Sequence, residues 1–229
     1  MKLEVTIDST KLRNLKDYVE VKQTENGRVS NYLMQLNDLV DLFSASTETT
    51  MWESPILPKN CIKYSVAPPG LHVYIEIPKG IWEIEYSNKK IKVGFPRLIF
   101  QYLLSEKRLT KENGYTVILS KIVAVKGKRR ITQTTPLFAF PYSHVNENAQ
   151  VCMGGTELPD IKCISELESM HSLFFNSPFS SDYGAKTTTG DPLWKLFLEI
   201  FNENEFNDEI LVPKHATFNS FFGLGKFEK

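Results

Sequence analysis

Leu71-His72-Val73-Tyr74-Ile75-Glu76-Ile77-Pro78-Lys79-Gly80-Ile81-Trp82-Glu83-Ile84-Glu85-Tyr86-Ser87-Asn88-Lys89-Lys90-Ile91-Lys92-Val93 is the stretch whose period decides the fold. Val73, Ile75 and Ile77 alternate with His72, Tyr74 and Glu76. Beyond Pro78-Lys79-Gly80, the set Ile81, Glu83, Glu85 alternates with Trp82, Ile84, Tyr86. A period of two places successive side chains on opposite faces of a sheet. The Pro-Lys-Gly and Ser-Asn breaks supply turns. A three-stranded meander is expected.

On the C-terminal side, Leu98 to Leu104 and Tyr115 to Val125 read as longer, more buried strands, the second followed by the charged turn Lys126-Gly127-Lys128-Arg129-Arg130. On the N-terminal side, Pro55, Pro58, Pro68, Pro69 and Pro78 exclude long helices. Leu3, Val5 and Ile7 alternate, Val19-Glu20-Val21 forms a second strand, and Ser30 to Leu36 a strand feeding a short helix. Asn37 or Asp38 would cap that helix, and Leu39, Val40 and Phe43 would form its apolar stripe.

The last third changes period. Ser165-Glu166-Leu167-Glu168 has the form of a capping box, with Leu167, Met170, Leu173 and Phe174 at helical spacing. Asp191-Pro192 opens a second helix, with Pro at its first position. Leu193, Trp194, Leu196, Phe197, Ile200 and Phe201 make its apolar face, so Trp194 and Phe197 are expected to be structural. Strands first and helices later point to an α+β domain with an antiparallel sheet.

Composition narrows the function classes. The chain has 229 residues, 41 % of them hydrophobic and 24 % charged, which is too apolar for a disordered protein. Lys+Arg and Asp+Glu are both 27, which argues against a nucleic-acid grip spread over the domain. No apolar run approaches the roughly 20 residues that span a bilayer, and the start alternates like a strand with no signal-peptide segment. Three widely spaced cysteines form neither a disulfide framework nor a paired zinc motif. A cytoplasmic protein without metal or cofactor is expected.

Cys152 lies between the polar run Asn146-Glu147-Asn148-Ala149-Gln150 and Gly154-Gly155. A thiol flanked in this way belongs on a loop near solvent, where a thiolate can act. Most free cysteines are buried hydrophobes, and packing remains an open role. Cys61, in an extended segment, and Cys163, at a helix start, read as structural; a Cys152–Cys163 pair is allowed by spacing alone. His144, eight residues before Cys152, is a candidate base or hydrogen-bond donor, and a surface loop histidine is the plainer alternative. His72, His171 and His215 are scattered, with His171 at the edge of the capped helix's stripe. Lys126 to Arg130 reads as a solvated hairpin tip, Gly223-Leu224-Gly225-Lys226 lacks the spacing of a phosphate loop, and Glu203, Glu205, Asp208 and Glu209 as a solvated helix end.

Pro141-Tyr142-Ser143-His144-Val145 through Val151-Cys152-Met153-Gly154 resembles the layout of ubiquitin-conjugating enzymes. Those carry His-Pro-Asn, a short loop, then Gly-x-hydrophobic-Cys-hydrophobic, with Asn eight positions before the cysteine. His144 stands where that Asn falls. Ala149 stands where Gly is usual, and Asn148 is expected to supply a left-handed turn instead. The chain is more closely similar to the prokaryotic branch called PRTRC system protein B, the prokaryotic ubiquitin-conjugating family D. Trp52-Glu53-Ser54-Pro55-Ile56-Leu57-Pro58-Lys59-Asn60, Gly94-Phe95-Pro96-Arg97-Leu98-Ile99-Phe100, Phe174-Phe175-Asn176-Ser177-Pro178-Phe179, Asp191-Pro192-Leu193-Trp194 and Ile210-Leu211-Val212-Pro213 resemble its segments in order, over roughly residues 52 to 215.

The resemblance implies a ubiquitin-conjugating-enzyme-like core over residues 51–229, with an antiparallel sheet, an active-site loop and C-terminal helices, after a strand-rich N-terminal extension over residues 1–50. It implies that Cys152 takes a ubiquitin-like protein as a thioester from a ThiF-like activating enzyme and passes it on, with His144 in support. A JAB-type metalloprotease and a ParB-related protein become candidate neighbours. Two rival readings stand beside it: a scaffold that binds a ubiquitin-like protein without catalysis, and a Cys152–His144 thiol hydrolase, for which no third orienting group can be named.

Overall fold

The computed structural model describes residues 2–8, 10–46, 54–67, 70–106 and 114–223. Pro68, Pro69, the Trp52-Glu53 start of one resembling segment, and Leu224-Gly225-Lys226 lie outside the described residues. The chain forms two compact units, Met1–Glu53 and Ser54–Lys229.

In the first unit, β1 (Lys2–Thr6), β2 (Tyr18–Glu25) and β3 (Arg28–Gln35) make an antiparallel sheet in that order. Asn26 and Gly27 both take positive φ between β2 and β3, as a two-residue hairpin turn requires. Val19, Val21 and Leu39 form the small core, joined by Leu3, Val5, Met34 and Leu36. Helix α1 (Leu36–Ser46) therefore presents Leu36 and Leu39, one i, i+3 pair, to the sheet. Val40 and Phe43, expected in the stripe, are exposed because so small a core reaches only one edge of the helix.

The second unit holds β4 (Cys61–Ala67), β5 (Gly70–Ile77), β6 (Gly80–Tyr86), β7 (Lys89–Phe95), β8 (Arg97–Glu106), β9 (Tyr115–Val125), β10 (Pro136–Phe138), β11 (Pro178–Phe179) and β12 (Pro213–Thr217). Six strands join in the order β12-β10-β9-β8-β5-β4, and three in the order β11-β6-β7. The expected meander is thus split at Pro78. Val73, Tyr74 and Ile75 are buried on both faces of β5, so that strand needs an interior position, between β8 and β4. The β6–β7 hairpin, turned by Ser87 and Asn88 at positive φ, carries exposed Ile81 and Glu83 and forms a separate sheet with parallel β11.

Aromatic rings fill the core. Trp82 stacks on Phe175 with centroids 4.4 Å apart, and Phe95 meets Tyr142 edge-on at 4.8 Å. Arg97 is buried but satisfied: its guanidinium donates to Glu76 at 2.7 Å and to the carbonyls of Gly127 and Arg129, which ties down the charged turn after β9.

The helices are shorter than the sequence suggests. Ile164–Ser169 is a 3-10 turn, and α2 spans only His171–Phe175. The carboxylate that closes its start is Glu166, accepting from the N–H groups of Lys162 and Cys163, not Glu168. Helix α3 (Leu193–Lys195) widens into a π turn, Leu196–Ile200, and Pro192 precedes it rather than occupying its first position. Leu193, Leu196, Phe197 and Phe201 are buried, whereas Trp194 is 49 % exposed, because one short turn offers the core a single face. Helix α4 (Phe218–Phe222) lays Phe218 and Phe222 against Tyr74. The unit is α+β with mostly antiparallel strands and few helices. Among the described residues, no helix is long and apolar enough to cross a membrane.

Candidate active-site loop

Pro141 to Val145 run buried, anchored by the Tyr142 hydroxyl donating to the Gly94 carbonyl at 2.6 Å. The chain then leaves the core, loops over residues 146–150, and returns to Cys152. Its two ends are closed by an antiparallel bridge between Val145 and Val151, and by the Cys152 N–H donating to the His144 carbonyl at 2.7 Å. Within the loop, the Asn146 N–H donates to the Gln150 carbonyl and the Ala149 N–H to the Asn146 carbonyl.

Asn146 is the keystone. Its side-chain oxygen accepts from the N–H groups of Asn148 at 2.9 Å and Gln150 at 3.0 Å, while its amide donates to the Gln150 side chain. An asparagine that bonds the backbone two residues on is a turn-former, a signal available in the sequence.

Two residues of the loop take left-handed backbone, His144 at φ 73° and Ala149 at φ 64°. The left-handed turn expected at Asn148 belongs to Ala149, so this chain keeps a glycine-like conformation without glycine. Histidine, like asparagine, is enriched at positive φ, which gives a backbone reason for His144 where the ubiquitin-conjugating pattern has Asn.

β9 holds the loop from beneath. Pairing with β8 slips between Gln101/Lys121 and Tyr102/Leu119, leaving Ser120 as an extra residue. The Ser120 carbonyl accepts from Val151, and Ile122 donates to the Ala149 carbonyl, each at 3.0 Å. Such bulges re-aim a strand toward a neighbouring element. Lys186 and Lys214 donate from downstream to the carbonyls of Val145 and Glu147. Neither lysine is legible in the sequence as part of the site, since both lie far from the loop in the chain.

Cys152 is exposed at the end of this hydrogen-bonded loop. Beside it, Val151 and Met153 join Thr116, Ile118 and Leu158 in lining an open groove of about 390 Å³. The imidazole of His144 is buried rather than on the surface, 4.4 Å from the Phe179 ring and 6.0 Å from Phe174. Burial lowers its pKa, opposed more weakly by the backbone of Pro178, the Asp182 carboxylate and the backbone of Cys152. The neutral ring is favoured, and among the described residues its Nε2 has no hydrogen-bond partner. The structure thus brings Cys152 and His144 together through main chain.

The other cysteines and histidines lie elsewhere. Cys61 is half-buried, its thiol bonded to the Lys63 carbonyl and its pKa raised by burial. Cys163 is exposed, its sulfur 3.2 Å from Glu166. His72 contacts Gln101, and His171 meets Trp82 edge-on. Asp208 pairs with Lys79, and Glu209 with Lys126, so these carboxylates tie segments together. Among the described residues, no group of three or more His, Cys, Asp or Glu side chains is placed to hold a metal ion.

Residues 42–214 match the family described as prokaryotic E2 family D. Neither the comparison with curated proteins nor that with solved structures gives a match. The chain belongs to prokaryotic E2 family D, which gives it an E2-like character related to ubiquitin-type conjugation.

Proposed function

We propose that this member of prokaryotic E2 family D is a conjugating enzyme of PRTRC type, whose Cys152 accepts a ubiquitin-like protein from a ThiF-like activating enzyme. The Cys152 thiolate attacks the carbonyl carbon of the activating enzyme's thioester. A new C–S bond forms, the old one breaks, and the activating enzyme's thiolate leaves. An acceptor amine then attacks the same carbon, Cys152 departs as thiolate, and the amine's proton passes to base.

One observation carries the reading: the exposed thiol of Cys152 ends a loop closed by its own hydrogen bonds in a chain of this family. Exchange between two large proteins calls for an accessible sulfur on an ordered surface, whereas small-molecule chemistry favours a closed pocket. Within this scheme His144 supports the site by shape. Its backbone carbonyl holds the Cys152 amide, and its neutral ring fills the space beneath the loop against Phe179.

The test is incubation with the ubiquitin-like protein, its activating enzyme and ATP, followed by electrophoresis without reductant. A covalent adduct that disappears on adding thiol supports the enzyme. Binding with no adduct converts the reading to a scaffold, and cleavage of a supplied ester converts it to a hydrolase.

A further inference from the structure

Backbone carbonyls lifted out of a sheet need donors, and six carbonyls of the loop before Cys152 have theirs within the protein. The carbonyl of His144 accepts from Cys152, that of Asn146 from Ala149, that of Ala149 from Ile122, and that of Gln150 from Asn146. Those of Val145 and Glu147 have side-chain donors instead. Lys186 Nζ donates to Val145 at 2.6 Å and to Tyr183 at 3.2 Å, and Lys214 Nζ donates to Glu147 at 2.8 Å.

Both lysines are held by their own surroundings. The Lys186 N–H donates to the Pro141 carbonyl at 2.8 Å, and Tyr183 and Gly184 just before it take positive φ. Lys214 lies on β12, and its ammonium sits 5.3 Å from the centre of the Phe221 ring. Burial is the largest influence on each ammonium, pulling both below the ordinary lysine range, and Glu147 is the carboxylate whose charge each of them feels. A half-buried cation must find acceptors, and here the acceptors are loop carbonyls. Hydrogen bonds from a charged donor are about twice as strong as neutral ones.

We propose that Lys186 and Lys214 are positioning residues, a two-point clamp that holds the 145–149 loop and so fixes how Cys152 is presented. The two ammonium groups take no part in strand pairing, since β12, which carries Lys214, pairs with β10 through Pro213 and Thr217, so the clamp is expected to serve the loop. Its consequence for transfer rests on the thioester reading above; its effect on the loop does not.

The test uses Lys186→Met and Lys214→Met, singly and together, with Lys186→Arg and Lys214→Arg as conservative partners. Amide hydrogen exchange is followed at Ala149 and Cys152, with Ile99 and Val123 of the central strands as controls. Each Met variant should speed exchange at the loop amides about tenfold, the scale of one charge-assisted hydrogen bond, while the controls keep the parent rate and the Arg variants recover most of the protection. Single-turnover discharge at saturating acceptor should fall by about the same tenfold factor, with the half-saturating acceptor concentration unchanged. Parent-like loop exchange in the double Met variant overturns the clamp. Equal acceleration at Ile99 and Val123 also overturns it, because the lysines would then serve the fold. Faster loop exchange with unchanged discharge overturns the role in presenting Cys152. If the parent protein never charges, the thioester reading fails by itself, and the exchange rates still decide the clamp.

Discussion

The amide of Cys152 donates to the carbonyl of His144 at 2.7 Å, so the thiol and the imidazole stand at the two ends of one closed loop. His144 makes that bond from left-handed backbone, at φ 73°. In ordinary positions alanine is worth more than glycine, but at positive φ the order inverts. His144→Gly should therefore be more stable than His144→Ala by about 1 kcal/mol in denaturant unfolding. An alanine variant that is the more stable of the two would mean that residue 144 does not hold this conformation in solution.

Asn146 gives the second expectation. Asn146→Ala strips the acceptor from the N–H groups of Asn148 and Gln150. The loss should cost about 1 kcal/mol and concentrate in faster exchange at those two amides. Asn146→Asp keeps the acceptor oxygen, though not the amide that donates to the Gln150 side chain, and should leave exchange at those two N–H groups near the parent rate. An alanine variant with parent exchange rates would remove Asn146 from the account.

One buried and two partly buried imidazoles set a pH dependence. His72, His144 and His171 all have pKa values lowered chiefly by burial. The unfolded chain therefore binds protons that the folded chain refuses, and stability is full above the unfolded histidine value of about 6.5. It is lost as pH falls below that value toward the folded ones. The melting temperature should drop between roughly pH 7 and 5.5, and His144→Asn should make the drop shallower. A melting temperature that is flat or rises on acidification through this window would contradict the burial.

The helical turn after Pro192 supplies a contrast. Phe197 is buried among Tyr86, Tyr142 and Phe179, and Phe197→Ala should cost about 3–5 kcal/mol. Trp194, half exposed, should cost no more than about 1 kcal/mol when replaced by Ala. Calorimetry on the two variants checks both, and equal losses would show that Trp194 is covered.

What the sequence discloses follows from how local the cause is. β8 and β9 are legible because long apolar runs need no partner to announce them, and Ser87-Asn88 because a two-residue turn is local chemistry. The exposure of Cys152 is legible from its polar neighbours. The split of the meander at Pro78 is not, since it depends on β5 being covered on both faces, a property of the assembled unit. The choice of Glu166 over Glu168 turns on which residue starts the 3-10 turn, two positions earlier than the capping pattern suggests. The burial of His144 is invisible because its cover, Phe179, arrives 35 positions later on β11. Lys186 and Lys214 are hidden for the same reason.

Whether Cys152 carries a ubiquitin-like protein is read from the chemistry of the bond formed. Parent protein and Cys152→Ser are each incubated with the ubiquitin-like protein, its activating enzyme and ATP, and the products are weighed intact before and after treatment with thiol or hydroxide. The parent adduct should be released by thiol, the serine adduct should resist thiol and yield to hydroxide, and Cys61→Ala and Cys163→Ala should behave like the parent. Charging that survives Cys152→Ala, or that fails in Cys61→Ala or Cys163→Ala instead, would contradict that role for Cys152.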